Sequence, residues 1–230
     1  MEKMSRYRHE LKYCIHYGQY LALRQRLRTV MQIDPHADTD GRYSIHSIYF
    51  DNYKDKALRE KTNGILKREK FRIRYYNDDF SYITLEKKQK YDQLCKKDTA
   101  VLTELECEKI LSGDTAWMLE REEPLIREFY IKQKQELLKP RVLVSYIREP
   151  YLYAAGNVRV TFDFDVRTSL FHSLSFKEGI TDISAADSPG TIVLEIKYDA
   201  YLPEVISCLL QMEGIRQQAF SKYATSRKFG

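Results

Sequence analysis

Six segments of this chain alternate with a period of two, setting apolar side chains on one face and a largely basic set on the other. Residues 6–17 place Arg6, Arg8, Glu10, Lys12, Cys14 and His16 opposite Tyr7, His9, Leu11, Tyr13, Ile15 and Tyr17. Residues 67–77 set Lys70, Arg72, Arg74 and Tyr76 against Phe71, Ile73 and Tyr75. Asn77-Asp78-Asp79 reads as a hairpin turn, after which 81–90 set Thr84, Glu86, Lys88 and Lys90 against Ile83 and Leu85. Three later segments repeat the pattern: 141–149 with Tyr146 and Arg148, 157–168 with Arg159, Asp163, Asp165 and Arg167, and 191–199 with Glu195, Lys197 and Asp199. Residues 43–50 read as a further strand. Helical spacing over 19–32, 53–61, 103–112, 115–138 and after Pro203 supplies amphipathic helices. With no repeat and no linker, residues 1–230 read as one α+β domain.

Any one such strand is explained by a sheet with one face in water. The set is harder to place there, because its charged faces carry twelve Lys or Arg against six Asp or Glu, and like charges across a sheet repel. If the sheet instead closes with its apolar faces outward under helices, the charges line a lumen. Such a lumen should be self-repelling when empty and should bind a polyanion, with Arg forks and Lys ammonium groups on phosphate oxygens. Its few acids would then hold a divalent cation bridging those phosphates.

The charge distribution agrees with an anionic partner. Residues 1–100 carry 22 Lys+Arg and 14 Asp+Glu, whereas the remainder carries 16 and 19. No apolar run approaches the ~20 residues of a membrane span, and MEKMSRYRHELKY lacks the apolar stretch of a secretory signal. Cys14, Cys95, Cys107 and Cys208 make no CxxC pair, which fits reduced thiols in a cytoplasmic protein rather than zinc ligands. His9, His16, His36, His46 and His172 show no ligand spacing, and Trp117 is expected to pack between helices.

Six short motifs occur in order: Glu10-Leu11-Lys12, Arg72-Ile73-Arg74, Glu86-Lys87-Lys88, Tyr146-Ile147-Arg148, Glu195-Ile196-Lys197 and Ser221-Lys222-Tyr223. In this order and strand parity the chain, over about residues 5–228, resembles the polyphosphate polymerase domain of the vacuolar transporter chaperone (VTC) family, within the triphosphate tunnel superfamily. The resemblance implies an eight-stranded antiparallel tunnel that passes the γ-phosphate of ATP to a growing polyphosphate chain, assisted by Mn²⁺ or Mg²⁺. It also implies that Lys12, Arg72, Arg74, Lys88, Arg148 and Lys222 engage phosphates with Ser221 beside them, and that Glu195 is the metal ligand. Lys97, in the basic stretch after the hairpin, would match a further phosphate-binding lysine. Glu10, Tyr146, Arg159 and Lys197 would support the chain from the lumen.

Hydrolytic members of that superfamily carry an ExExK signature near the start, and here Arg8 stands at its first position. That replacement weakens a second metal and tilts the expectation from triphosphatase to transferase. A non-catalytic polyphosphate or nucleic-acid binding module is the other alternative. Glu195 argues against it, since anion binding alone has no use for a carboxylate in a basic tunnel. Nucleic acid is further disfavoured because the basic residues lie opposite the aromatics on most strands.

Overall fold

The computed structural model describes residues 7–170, 183–184 and 190–227. His172 and the last three residues of the basic tail lie outside them. The strands are β1 (Arg8–Ile15), β2 (Gln32–Ile33), β3 (Tyr43–Asp51), β4 (Lys67–Tyr76), β5 (Asp79–Tyr91), β6 (Leu94–Leu102), β7 (Lys139–Tyr153), β8 (Val158–Leu170), β9 (Ile183–Ser184) and β10 (Ile192–Tyr198). The helices are α1 (Tyr17–Leu27), α2 (Lys56–Thr62), α3 (Glu104–Ser112), α4 (Pro124–Glu136), α5 (Glu204–Leu209) and α6 (Lys222–Ser226).

Eight of the strands form an antiparallel ring in the order β7-β3-β4-β5-β6-β1-β10-β8, closed by pairing of β8 with β7. The short β2 and β9 pair with β7 and β8. Closure is thinnest between β1 and β6, where only Arg8–Cys95 and His9–Leu94 are in register. A ring leaves each strand an inner and an outer face, and the alternation in the sequence sorts them. One outer core, under α3 and α4, gathers Phe50, Phe71, Ile73, Leu85, Ile110, Ile126 and Phe129. A second lies under α1 and gathers Tyr20, Leu23, Leu27, Phe162, Leu194 and Ile206. A third is inside the ring, where Tyr223 of α6 packs on Tyr43, Ile45, Tyr49, Val142, Val144 and Val166.

Local chemistry sets the element ends. The two-residue turn Asn77-Asp78 has φ of 51° and 53°, the left-handed pair that matches the twist of a hairpin. Thr103 and Glu106 form a capping box for α3, which stops at Gly113. The continuous helix expected over 115–138 is instead a 3-10 turn at Ala116–Leu119 followed by α4, which begins at Pro124. A proline disfavours helix in the residue before it and is at home in the first turn.

The structure differs from the sequence reading at two further places. Residues 94–102, read from the sequence only as a basic stretch after the hairpin, form a strand; its pattern is obscured by Lys96-Lys97-Asp98-Thr99, and pairing with β5 and β1 specifies it. Asp165 and Arg167 do not face the lumen. Asp165 takes φ of 47° at a bulge between β8 and β7, so parity slips by one and Val166 turns inward. Arg167 and Asp165 pair with each other at 2.8 Å, about half exposed at 46% and 50%.

Candidate functional site: a basic lumen

The ring encloses a cavity of about 550 Å³. Its wall is drawn from six of the ring strands, with α2 and residues 217–222. Eleven Lys or Arg side chains line it against three Glu.

Three networks of carboxylates and cations organise this wall. In the first, Glu195 meets Lys12 Nζ at 2.9 Å, lies against Lys197, and faces Arg148 at 4.0 Å. Glu10 sits beside it, accepting from Lys88 Nζ at 2.6 and 2.7 Å, with Lys12 and Lys197 each 3.8 Å away. In the second, Glu86 accepts from Arg72 Nε at 2.7 Å and Lys97 Nζ at 2.7 Å, with Arg74 at 3.8 Å. In the third, Asp163 receives both Arg148 Nε (2.6 Å) and Nη2 (2.8 Å), together with Lys222 Nζ. Two tyrosines join them: Tyr146 accepts from Arg74 at 3.0 Å with Lys222 over its ring, and Tyr49 accepts from Arg72 at 3.1 Å.

The expectation that the empty lumen repels itself therefore needs correction. Carboxylates from β1, β5, β8 and β10 are interleaved with the cations, so the deepest positive charges are compensated within the protein. Burial alone would raise the carboxyl pKa values, but Lys12 and Lys88 outweigh it at Glu10, and Arg72 and Arg74 do so at Glu86. Lys12 and Lys197 hold Glu195 far below the carboxylate range, and Arg148 and Lys222 hold Asp163 at about 2. Lys12 is pushed up by Glu10 and Glu195 against its own burial. Lys197 moves the other way, because burial outweighs those same glutamates and brings it down to about 8.

Eleven of the thirteen residues singled out in the sequence lie on this one wall: Glu10, Lys12, Arg72, Arg74, Lys88, Tyr146, Arg148, Glu195, Lys197, Ser221 and Lys222. Ser221 caps α6 by accepting from the Ala224 amide, which fixes Lys222 at the first turn. Lys97 and Arg159 are not part of the wall. Lys97, opposite Lys88 on β6, pairs with Glu86 Oε1 at 2.7 Å and is 49% exposed. Arg159 is held by Asp34 at 2.8 Å and by the Tyr43 hydroxyl at 2.6 Å. Arg8 also lies off the wall, paired with Asp199 at 2.8 Å. Sequence reasoning placed Lys70 and Lys90 on the charged faces without giving either an individual role, and it did not single out Arg68, Lys61 or Tyr49; all five line the cavity. Parity was the available signal for Arg68, which alternates with Lys70 and Arg72.

An eight-stranded antiparallel ring around a basic, water-accessible lumen, with α6 inside it and the larger helices packed outside, is the triphosphate tunnel fold. The chain belongs to the VTC domain family, which matches residues 7–229. The fold is shared with HpAC1 from Hippeastrum, a candidate adenylyl cyclase whose structure is described as revealing a dominant triphosphatase activity. That likeness has a TM-score of 0.55 at 13% identity and covers 98% of this chain and 96% of that one. A candidate adenylate cyclase from Bacillus halodurans matches with a TM-score of 0.50 at 14% identity, covering 84% and 81%. No curated protein sequence matches. Among the described residues, no helix is long and apolar enough to cross a membrane.

Proposed function

We propose that this chain is a cytoplasmic polyphosphate polymerase that passes the γ-phosphate of ATP to the end of an inorganic polyphosphate chain held in the lumen. The observation that carries the reading is the state of the lumen acids. Glu10 and Glu195 are both ion-paired and held far below neutral pH, which makes them poor bases for drawing a proton from water. Transfer to a phosphate oxygen needs no such base, because the attacking oxygen is already ionised. The new bond joins that oxygen to Pγ, the Pγ–O bond to ADP breaks, and the charge passes to the leaving β-phosphate.

Positioning and charge compensation are then what the chain must supply. Arg72, Arg74 and Arg148 offer forks to phosphate oxygens, and Lys12, Lys88 and Lys222 offer point charges, with Ser221 and Tyr146 beside them. Glu195 and Glu10 fit a divalent cation of the Mn²⁺ or Mg²⁺ kind. Both oxygens of Glu195 are already ion-paired, Oε1 with Lys197 and Oε2 with Lys12, so a cation entering beside Glu10 would displace those ammonium groups. Two carboxylates suffice for an ion that takes its other ligands from phosphate and water. Among the described residues no cluster of three His, Cys, Asp or Glu could hold a metal by itself, so the phosphates are needed to complete the site. When bound, such an ion neutralises charge on the transferring phosphoryl oxygens.

Incubated with ATP and Mn²⁺, the protein is expected to form ADP and a polymer that a gel resolves from free phosphate. Phosphate released in step with ADP, with no polymer, would establish a triphosphatase instead. Glu195→Gln removes the charge while keeping the shape, and it is expected to lower metal-dependent turnover about 100-fold, roughly 2.7 kcal/mol of barrier. Turnover within a few-fold of the parent, with an unchanged response to Mn²⁺, would move the metal ligand elsewhere.

A further inference from the structure

Four cations crowd one stretch of the lumen: Lys70 and Arg72 of β4, Lys88 of β5 and Lys12 of β1. Three of them have a carboxylate, Arg72 on Glu86, Lys88 on Glu10 and Lys12 on Glu195. Lys70 has none within ion-pair distance among the described residues. Its Nζ donates to Ser221 Oγ at 3.3 Å and lies 5.8 Å from the Tyr49 ring centroid.

The neighbouring acids are committed elsewhere. Asp51 on β3 accepts from the amides of Asn52, Ala57 and Leu58 and from the Tyr223 hydroxyl. Glu69, next in the chain, is paired with Lys87 and Lys132. From α6, Lys222 is paired with Asp163, and from α2, Lys61 adds another positive charge to the wall.

We propose that Lys70 is an anion-binding residue of the lumen, seated between Ser221 and Tyr49, and that a phosphate oxygen of the bound chain supplies the countercharge that the protein withholds. The inference rests on the lumen taking inorganic triphosphate or polyphosphate, and it gives Lys70 a part that the paired cations do not have. Those cations must exchange a protein carboxylate for a phosphate, whereas Lys70 has no carboxylate to give up.

A second consequence is proton uptake. Burial and the charges of Lys88, Lys12 and Arg72, opposed by Tyr49, bring the Lys70 amine down to about 7. A polyanion beside it restores the ammonium, with the proton drawn from solvent. Lys70 so charged is no base for water, which agrees with transfer rather than hydrolysis.

The test is calorimetric titration of the protein with inorganic triphosphate, in two buffers of different ionisation enthalpy, on the parent, Lys70→Arg and Lys70→Met. Lys70→Arg keeps the charge but cannot titrate. It is expected to bind within a few-fold of the parent while taking up clearly fewer protons per triphosphate at pH 8, a difference on the order of one proton at most. Proton exchange by the ligand is common to both proteins and cancels in that difference. Tyr49, whose hydroxyl interacts with the Lys70 charge, is taken out of it by repeating the pair on a Tyr49→Phe background. Lys70→Met is expected to bind roughly tenfold to a hundredfold more weakly at pH 7, and its empty form to melt no lower than the parent.

Parental affinity and parental proton uptake in Lys70→Met would overturn the inference. A parent that binds triphosphate with this Lys70 dependence but makes no polymer would leave the inference standing and remove the polymerase reading. A parent that fails to bind triphosphate would remove both.

Discussion

Asp163→Ala is expected to lower the stability of the empty protein by about 3–5 kcal/mol, more than any other single lumen substitution considered. Asp163 has no exposed surface, and its two oxygens hold both arms of Arg148 together with Lys222. Removing it leaves Arg148 with only Glu195, at 4.0 Å, and leaves Lys222 over the ring of Tyr146. Both cations are themselves buried, so neither can recover its hydration by turning to bulk water. For a chain of this length the loss amounts to a fall in melting temperature of roughly 6–20 °C.

The pH dependence follows from the direction of the Asp163 shift. Its pKa in the fold, about 2, is below the ordinary 3.8, so its stabilisation is complete above 3.8 and is lost as pH falls towards 2. The gap between parent and variant should therefore be full at pH 7 and should narrow below about 3.8. Triphosphate should narrow it too, because phosphate oxygens can take the place of the missing carboxylate. Thermal melting of both proteins across pH, with and without triphosphate, reads all of this. Equal melting temperatures at pH 7 would show that Asp163 is not the countercharge of Arg148 and Lys222.

Strand parity made the lumen legible because a ring of paired strands preserves a period of two all the way round. Lys12, Arg72, Arg74, Lys88, Arg148 and Lys197 were placed by it before any contact was known. It failed where the period itself fails. The bulge at Asp165 reversed the faces of Asp165 and Arg167, and no local signal in FDFDVR marks a left-handed residue at that aspartate. The strand over 94–102 was invisible for a different reason. Its inner positions include Cys95 and Lys97 and its outer ones Lys96 and Asp98, so neither face reads as apolar, and only the need of β5 and β1 for partners specifies it. Charge balance was the third failure. Counting signs along strands gave an excess of cations, but pairing across strands is a property of register, and register puts Lys12 opposite Glu195 and Arg72 opposite Glu86.

That pairing decides what removing two of the arginines will do. The double substitution Arg72→Ala/Arg74→Ala is expected to weaken inorganic triphosphate binding on the order of 10²–10⁴-fold, as two charge-assisted phosphate contacts of about 1.5–3 kcal/mol each are lost. Triphosphate at about 100 times its dissociation constant should stabilise the parent by ~2.7 kcal/mol, a rise of roughly 5–10 °C, and the double variant at the same concentration should barely respond. Mutual repulsion alone would leave the empty double variant at least as stable as the parent. Register argues the opposite, because Glu86 is only 1% exposed and would keep just Lys97 of its three basic partners. The empty variant is therefore expected to melt several degrees below the parent, and further substitution of Glu86→Gln should recover part of the loss without restoring binding. Melting curves for the parent, the double and the triple variant separate the two effects. A double variant that still gains the full rise would remove these arginines from the anion site, whereas one that loses the response yet melts with the parent when empty would show that Glu86 does not depend on them.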